Sequence, residues 1–302
     1  MKLQHLKGNT YALETHTPET NTASIGLYLF PDQRCLLIDS GANPTQGQAL
    51  LQILEEKGWT VSAIFNTHAH ADHCGGNHYI QQVSHCRIYA SAIESAFIQQ
   101  PILNPYTVYG AYPLKLLQSK FFLPQASRVS AAISAGRMEI NGQEFEILDL
   151  GGHTLGHLGI RTPDNVVFTG DSLISPEILH SNPFLYLADP SQQIATLEKI
   201  RADKSALLYL SHGGITDNIS ALIRANYEIL MQIQATLKHI LRTSRNREEI
   251  INEVITRQGL QVNRNHYFRL GASISAFLAY LCNSGQATVY IEKDSLQYCA
   301  KA

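Results

Sequence analysis

The residues best suited to chemistry stand together in Thr67-His68-Ala69-His70-Ala71-Asp72-His73, directly after the apolar run Val61 to Phe65 and before Gly75-Gly76. Side chains alternate in extended backbone, so His68 and His70 point the same way and can hold one metal ion; Asp72 and His73, beyond the bend, can turn toward a second. The chain has 13 His in 302 residues. At that frequency a chance run in this register is on the order of one in a thousand, which sets it apart from surface histidines on a loop. Three further segments fall at the ends of predicted strands: Gly151-Gly152-His153-Thr154-Leu155-Gly156-His157, Thr169-Gly170-Asp171-Ser172 and Leu210-Ser211-His212-Gly213-Gly214. Glycines beside a ligand let loops approach one another closely and converge.

The elements that must position these segments alternate strand and helix. Strands are predicted at Ile25 to Phe30, Cys35 to Ile38, Val61 to Phe65, Arg87 to Ala90 and Ala206 to Leu210. Helices are predicted at Gln46 to Lys57, Gly76 to Val83 and Ser191 to Arg201. Asn141-Gly142 and Pro163-Asp164-Asn165 mark two hairpins, so antiparallel ladders are mixed in and the class is α+β. After Gly213-Gly214, apolar residues recur at helical spacing from Asp217 to about Leu241. A capped helix from Asn246, an apolar helix from His266 to Cys282 and a hairpin around Glu292-Lys293-Asp294-Ser295 follow, the order of a winged-helix module. The division into domains falls at residues 1–215 and 216–302.

The His-x-His-x-Asp-His run, followed in order by His153, Asp171 and His212 in their glycine-framed loops, resembles the metallo-β-lactamase superfamily over about residues 9–215. That resemblance implies a four-layer αβ/βα sandwich with a metal site along one edge. It implies His68, His70 and His153 as ligands of a first ion and Asp72, His73 and His212 of a second, with Asp171 bridging. The Asp171 bridge makes the site similar to that of glyoxalase II-like hydrolases. His/Asp ligation suits Zn²⁺, and iron or manganese accept such sets as well. Two divalent ions about 3.5 to 4 Å apart bring the pKa of a shared water toward about 7 and polarise a substrate oxygen. The expected reaction is therefore cleavage of a thioester, ester or lactone by a metal-bridging hydroxide, with Asp72 or Asp171 passing a proton to the leaving group. His157 is read as a catalytic or substrate-side residue, with a supporting role or a structural hydrogen bond to a neighbouring loop as the other readings, and Asp39 as a support behind the ligand loop. An endoribonuclease and a mononuclear iron persulfide dioxygenase using His68, His153 and Asp171 are the alternative readings.

The Pro-broken, aromatic stretch from Glu94 to Ser130 reads as a lid carrying Tyr106, Tyr109 and Tyr112, as a homodimer contact, or as packing. Five unpaired-looking cysteines and no leader-like or membrane-spanning apolar run lead to the expectation of a cytoplasmic protein with a small-molecule substrate and no membrane association. The net charge of -2 gives no support for wholesale nucleic-acid binding, although residues 216–302 carry +3 and the rest -5, which keeps RNA among the partners considered.

Overall fold

Short apolar strands whose alternate residues face opposite ways build two sheets that share a core. The structure is a computed structural model and describes residues 1–15, 23–181, 184, 186–203, 207–216 and 218–301. The first sheet runs in chain order through β1 (Lys2–Lys7), β2 (Thr10–Glu14), β3 (Ile25–Leu29), β4 (Arg34–Ile38), β5 (Thr60–Phe65), β6 (Arg87–Ser91) and β7 (Ala131–Ile133). It is antiparallel as far as β4 and parallel from β4 to β7. Its parallel half needs crossovers, supplied by α1 (Pro44–Glu56), by α2 (Ala71–Cys74) with α3 (Asn77–Ser84), and by α4 (Ala92–Gln99) with α5 (Leu103–Tyr109). The second sheet contains β8 (Gly136–Ile140), β9 (Gln143–Asp149), β10 (Leu158–Arg161), β11 (Val166–Phe168), β12 (Leu207–Leu210) and β13 (Gly214–Thr216) in the order β13-β12-β11-β10-β9-β8.

Strand β4 shows the layering. Leu36 and Ile38 meet Phe65, Phe145, Ile160 and Phe168 between the sheets, whereas Cys35 and Leu37 face Leu50, Leu54 and Ile80 under α1 and α3. The outer face of the second sheet, through Val167, Leu208 and Leu210, packs on α7 (Pro190–Ala202), which follows the short α6 (Pro176–Ser181), and on the C-terminal helices. Helix, sheet, sheet, helix is the expected four-layer α+β sandwich. Phe145 is buried in its centre and meets Tyr28 and Phe30 edge-on at centroid distances of 5.1 and 6.2 Å. Phe145→Ala is expected to cost about 3–5 kcal/mol in a urea unfolding curve; a loss below about 1 kcal/mol would contradict a close-packed interface between the sheets.

The C-terminal part comprises α8 (Ile219–Ile240), α9 (Arg247–Gln258), α10 (Arg264–Asn283) and the hairpin β14 (Ala287–Glu292) and β15 (Ser295–Ala300). Asn246 and Glu249 form the expected capping box, and Lys293 and Asp294 take the positive φ of a tight hairpin turn. This is the winged-helix-like order, yet Ile250, Ile274 and Phe277 join one continuous core with Leu197 and Leu208 of the sandwich. Asn226, the polar break in the α8 seam, is buried and pins the loop after Asp171: its Oδ1 accepts from the Ile174 N–H at 3.1 Å and its Nδ2 donates to the Ile174 carbonyl at 2.8 Å. The predicted ends Ala206 and Asp217 lie outside the described residues. The β1–β2 hairpin was not anticipated, because Lys2–Lys7 lacks apolar alternation and is held as an edge by pairing with β2.

Candidate metal centre

Every segment singled out for chemistry leaves the C-terminal end of a strand on the same edge of the sandwich. His68 and His70 follow β5, Asp72 and His73 open α2, His153 and His157 follow β9, Asp171 follows β11 and His212 follows β12. Two donor clusters result: His68, His70 and His153, and Asp72, His73, Asp171 and His212. In the first, His70 Nδ1 is 3.0 Å from both His68 Nε2 and His153 Nε2. In the second, Asp171 Oδ1 is 3.2 Å from His73 Nε2 and 3.5 Å from His212 Nε2, and Asp72 Oδ2 is 3.3 Å from His212 Nε2 and 3.8 Å from His73 Nε2. The other oxygen of Asp171, Oδ2, is 3.5 Å from His153 Nε2, so one carboxylate faces both clusters.

The second cluster's spacings, 3.2 to 3.8 Å, bracket those around a metal ion, and the 3.0 Å separations of the first cluster are slightly shorter. Two ligand atoms about 2.0–2.2 Å from a tetrahedral Zn²⁺ stand about 3.3–3.6 Å from each other. His73 Nε2 and Asp171 Oδ1 are buried and, although 3.2 Å apart, form no aligned hydrogen bond, a costly state that a cation would relieve. The electrostatics agree. Burial, together with the neighbouring imidazoles, holds His68 well below its ordinary range; burial only partly offset by Asp72 and Asp171 takes His70 down to about 4, and burial partly offset by Asp171 takes His153 down to about 3. Three neutral rings therefore aim lone pairs at a common point. Burial alone would raise Asp171 and Asp72, yet His212 and His73 hold both carboxyls below the usual range. Reciprocally, burial would lower His73 and His212, and the carboxylates, Asp171 foremost, push both up. The second cluster thus carries two ionised carboxylates, Asp171 nearly buried and Asp72 partly exposed, that call for positive charge.

A layer of hydrogen bonds sets each ring. Asp39, in the left-handed region at φ +65, accepts from the Thr67 N–H and the Thr67 hydroxyl at 2.8 Å each and from His73 Nδ1 at 2.7 Å. Thr67 Oγ1 accepts in turn from His68 Nδ1 at 3.0 Å, and the Tyr186 carbonyl accepts from His153 Nδ1 at 3.1 Å. With Nδ1 protonated, the Nε2 lone pairs of His68, His73 and His153 are left for ligation. Asp39 therefore stands behind the ligand loop, where the sequence puts a support. His157 is fully buried, stacks on His68 at 4.9 Å and accepts the Asp171 N–H on Nε2 at 3.1 Å. Gly170, at φ +55, makes that approach possible: a Cβ there would come within 2.6 Å of the His157 ring. Cys74 is buried, donates its thiol to the Ala69 carbonyl and is pushed well above its ordinary range by burial, which leaves it no nucleophilic role.

Glu94 was not anticipated. It is 3% exposed; Oε2 accepts from the Ala69 N–H at 2.8 Å, and Oε1 accepts from the Thr154 hydroxyl at 2.7 Å and the Gly156 N–H at 3.1 Å. One carboxylate thereby ties the loop carrying His68 and His70 to the loop carrying His153. Its only sequence signal is Ser91-x-x-Glu94, which reads as an ordinary capping box. Ser91 does cap α4, and the Glu94 side chain turns to the metal loops instead.

The centre opens onto a cavity of about 1160 Å³ walled by His70 and His153 of the first cluster, Asp72, Asp171 and His212 of the second, the 94–130 insertion, α8 and α10. Tyr109 lines it and packs edge-on against Phe268 at 5.8 Å. Tyr106 and Tyr112 are exposed and lie outside its lining, so of the three expected lid tyrosines only Tyr109 is placed at the site.

A four-layer sandwich with two metal-binding clusters on one edge defines the class, a metal-dependent hydrolase. The chain belongs to the metallo-beta-lactamase superfamily, whose sequence profile matches residues 22–212. A hydroxyacylglutathione hydrolase of Synechococcus sp. is 26% identical over 208 residues, 64% of this chain and 67% of that protein. The chain spans about two thirds of the length of the curated relatives it matches. Two crystal structures share the fold across nearly the whole chain, C-terminal part included. A metallo-beta-lactamase family protein from Thermus thermophilus has a TM-score of 0.74 at 17% identity, covering 97% of this chain and 99% of that one. A beta-lactamase domain protein from Burkholderia ambifaria has 0.75 at 14%, covering 99% and 93%.

Proposed function

We propose that this protein hydrolyses a thioester, ester or lactone at a dinuclear centre held by His68, His70 and His153 on one side, Asp72, His73 and His212 on the other, and Asp171 between them. The observation that carries the reading is the double exposure of Asp171, one oxygen to each cluster, at the mouth of a cavity. It supports two ions over the single-iron reading built on His68, His153 and Asp171. The donor set favours Zn²⁺. Bound there, two such ions supply Lewis acidity that acidifies water and polarises a carbonyl.

The chain's own residues do the rest. Asp39, Thr67 and Glu94 fix ligand orientation, and His157 holds the Asp171 backbone from behind, a positioning role. Asp72 lines the cavity with its side chain 38% exposed, the most accessible carboxylate of the cluster, and is placed to carry a proton to the leaving group. Residues 1–215 form the catalytic part and residues 216–302 close the cavity from the other side. The test is a panel of thioesters, lactones and short RNAs on metal-loaded protein and on Asp72→Ala: thioester or lactone turnover falling about 10²- to 10⁴-fold in the variant is expected. Turnover of RNA alone, or equal rates in both proteins, would refute the reading.

All five cysteines are free and, among the described residues, no helix is long and apolar enough to cross a membrane. The free thiols support a cytoplasmic location. Exposed Tyr112, Leu114 and Leu116 offer an edge for a homodimer, which sedimentation velocity reads directly.

A further inference from the structure

The cavity carries information about the substrate that the metal centre does not. Its walls away from the clusters are mainly apolar, with Ile93, Phe97 and Val108 from the insertion side and Ile229, Ile233 and Ala276 from α8 and α10, interrupted by Asn104, Thr107, Asn226 and Ser275. At about 1160 Å³ it exceeds what a small polar acyl group fills, the usual range for ligand pockets being about 300–1,000 Å³. Two guanidinium groups also line it. Arg247 is accounted for: Nε donates to Ser275 Oγ at 2.7 Å and Nη1 to Glu248 Oε1 at 2.9 Å.

Arg269 is different. Among the described residues it has no carboxylate within ion-pair distance, its Nε is buried with no hydrogen-bond partner, and its guanidinium lies over the Phe121 ring at 5.3 Å. Burial lowers its pKa, and Asp72 and Asp171 are near enough to act on its charge. A largely buried cation without a partner costs stability unless something supplies the opposite charge. A planar guanidinium on an aromatic face is preorganised to take carboxylate or phosphate oxygens.

Building on the hydrolase reading above, we propose that the substrate is an amphipathic acyl thioester: its apolar acyl group fills the cavity, and an anionic group, carboxylate on the acyl part or phosphate on the thiol part, is bound by Arg269. The C-terminal helices then set specificity as well as closing the site.

The test uses metal-loaded protein and matched thioesters: butanoyl and octanoyl N-acetylcysteamine, ω-carboxyoctanoyl N-acetylcysteamine, and octanoyl 4′-phosphopantetheine. Each added methylene is expected to raise kcat/KM about three- to fourfold. In the wild type one anionic octanoyl thioester exceeds the neutral one in kcat/KM by about 10- to 100-fold, and the arm that does so identifies the anion. Arg269→Met is expected to collapse that ratio toward one and Arg269→Lys to restore part of it. An unchanged ratio in Arg269→Met, or no anion preference in the wild type, overturns the assignment. Calorimetry with the non-hydrolysable S-octyl thioether of 4′-phosphopantetheine and the ω-carboxyoctyl thioether of N-acetylcysteamine separates the two readings. Charge-selective binding lost in Arg269→Met, without thioester hydrolysis by the wild type, sinks the hydrolase proposal and leaves the binding site standing. Hydrolysis with an unchanged charge ratio sinks the binding site alone.

Discussion

Asp171→Asn is expected to lower kcat/KM by at least about 10³-fold, a barrier increase of about 4 kcal/mol, while the metal-free protein keeps its fold. The reason is geometric. Among the described residues Asp171 is the one side chain with an oxygen toward each cluster, 3.2 Å from His73 Nε2 on one side and 3.5 Å from His153 Nε2 on the other. The amide has nearly the same shape and keeps one acceptor oxygen, but its nitrogen has no lone pair to offer and its negative charge is gone. One cluster therefore loses a ligand and both lose shared charge. Metal analysis should show about one ion per chain in place of two, with the far-ultraviolet circular dichroism of the wild type. Retention of both ions and more than a tenth of the wild-type activity would show that Asp171 does not bridge.

Glu94→Ala gives the second large effect, and it acts without touching either cluster. Removing the carboxylate leaves the buried Ala69 N–H unpaired, at about 1–3 kcal/mol, and with it the partly buried Gly156 N–H and Thr154 hydroxyl at a smaller cost each. The loops that carry His68, His70 and His153 lose their common anchor, and metal affinity is expected to fall about 10- to 100-fold. Burial pushes the Glu94 carboxyl upward, and the bonds it accepts from Thr154, Ala69 and Gly156 act against that rise. Glu94→Gln keeps an acceptor oxygen and should recover part of the metal affinity. A Glu94→Ala protein with wild-type metal affinity and melting temperature would show that the loops hold themselves.

The site was legible to the extent that its chemistry is local. His68, His70, Asp72 and His73 stand within six residues, so their joint role follows from strand alternation and one bend. His153, Asp171 and His212 were legible through their glycine-framed loops and their order, and the structure brings all seven to one edge. The mixture of strands and helices was legible from the apolar runs, whereas the four layers followed from the family resemblance; β4 and β5 fit them by alternating between two buried faces. What could not be read depends on long-range packing. Glu94 carries the same signal as any capping box, and only the approach of two loops 25 and 60 residues away gives it another use. Arg269 reads as a basic residue at the start of an apolar helix; it enters the cavity because α10 packs beside α5 and the 94–130 insertion. His157, four residues after a ligand, reads as a substrate-side group or as a structural hydrogen bond to a neighbouring loop, and the left-handed turn at Gly170 is what decides for the second by setting it behind Asp171.

Zinc titration of the metal-free protein, with octanoyl thioester hydrolysis followed at each addition, tests the dinuclear centre most directly. Activity is expected to climb to a plateau at two equivalents per chain in the wild type. A plateau at one equivalent, or hydrolysis that persists in excess chelator, would contradict it.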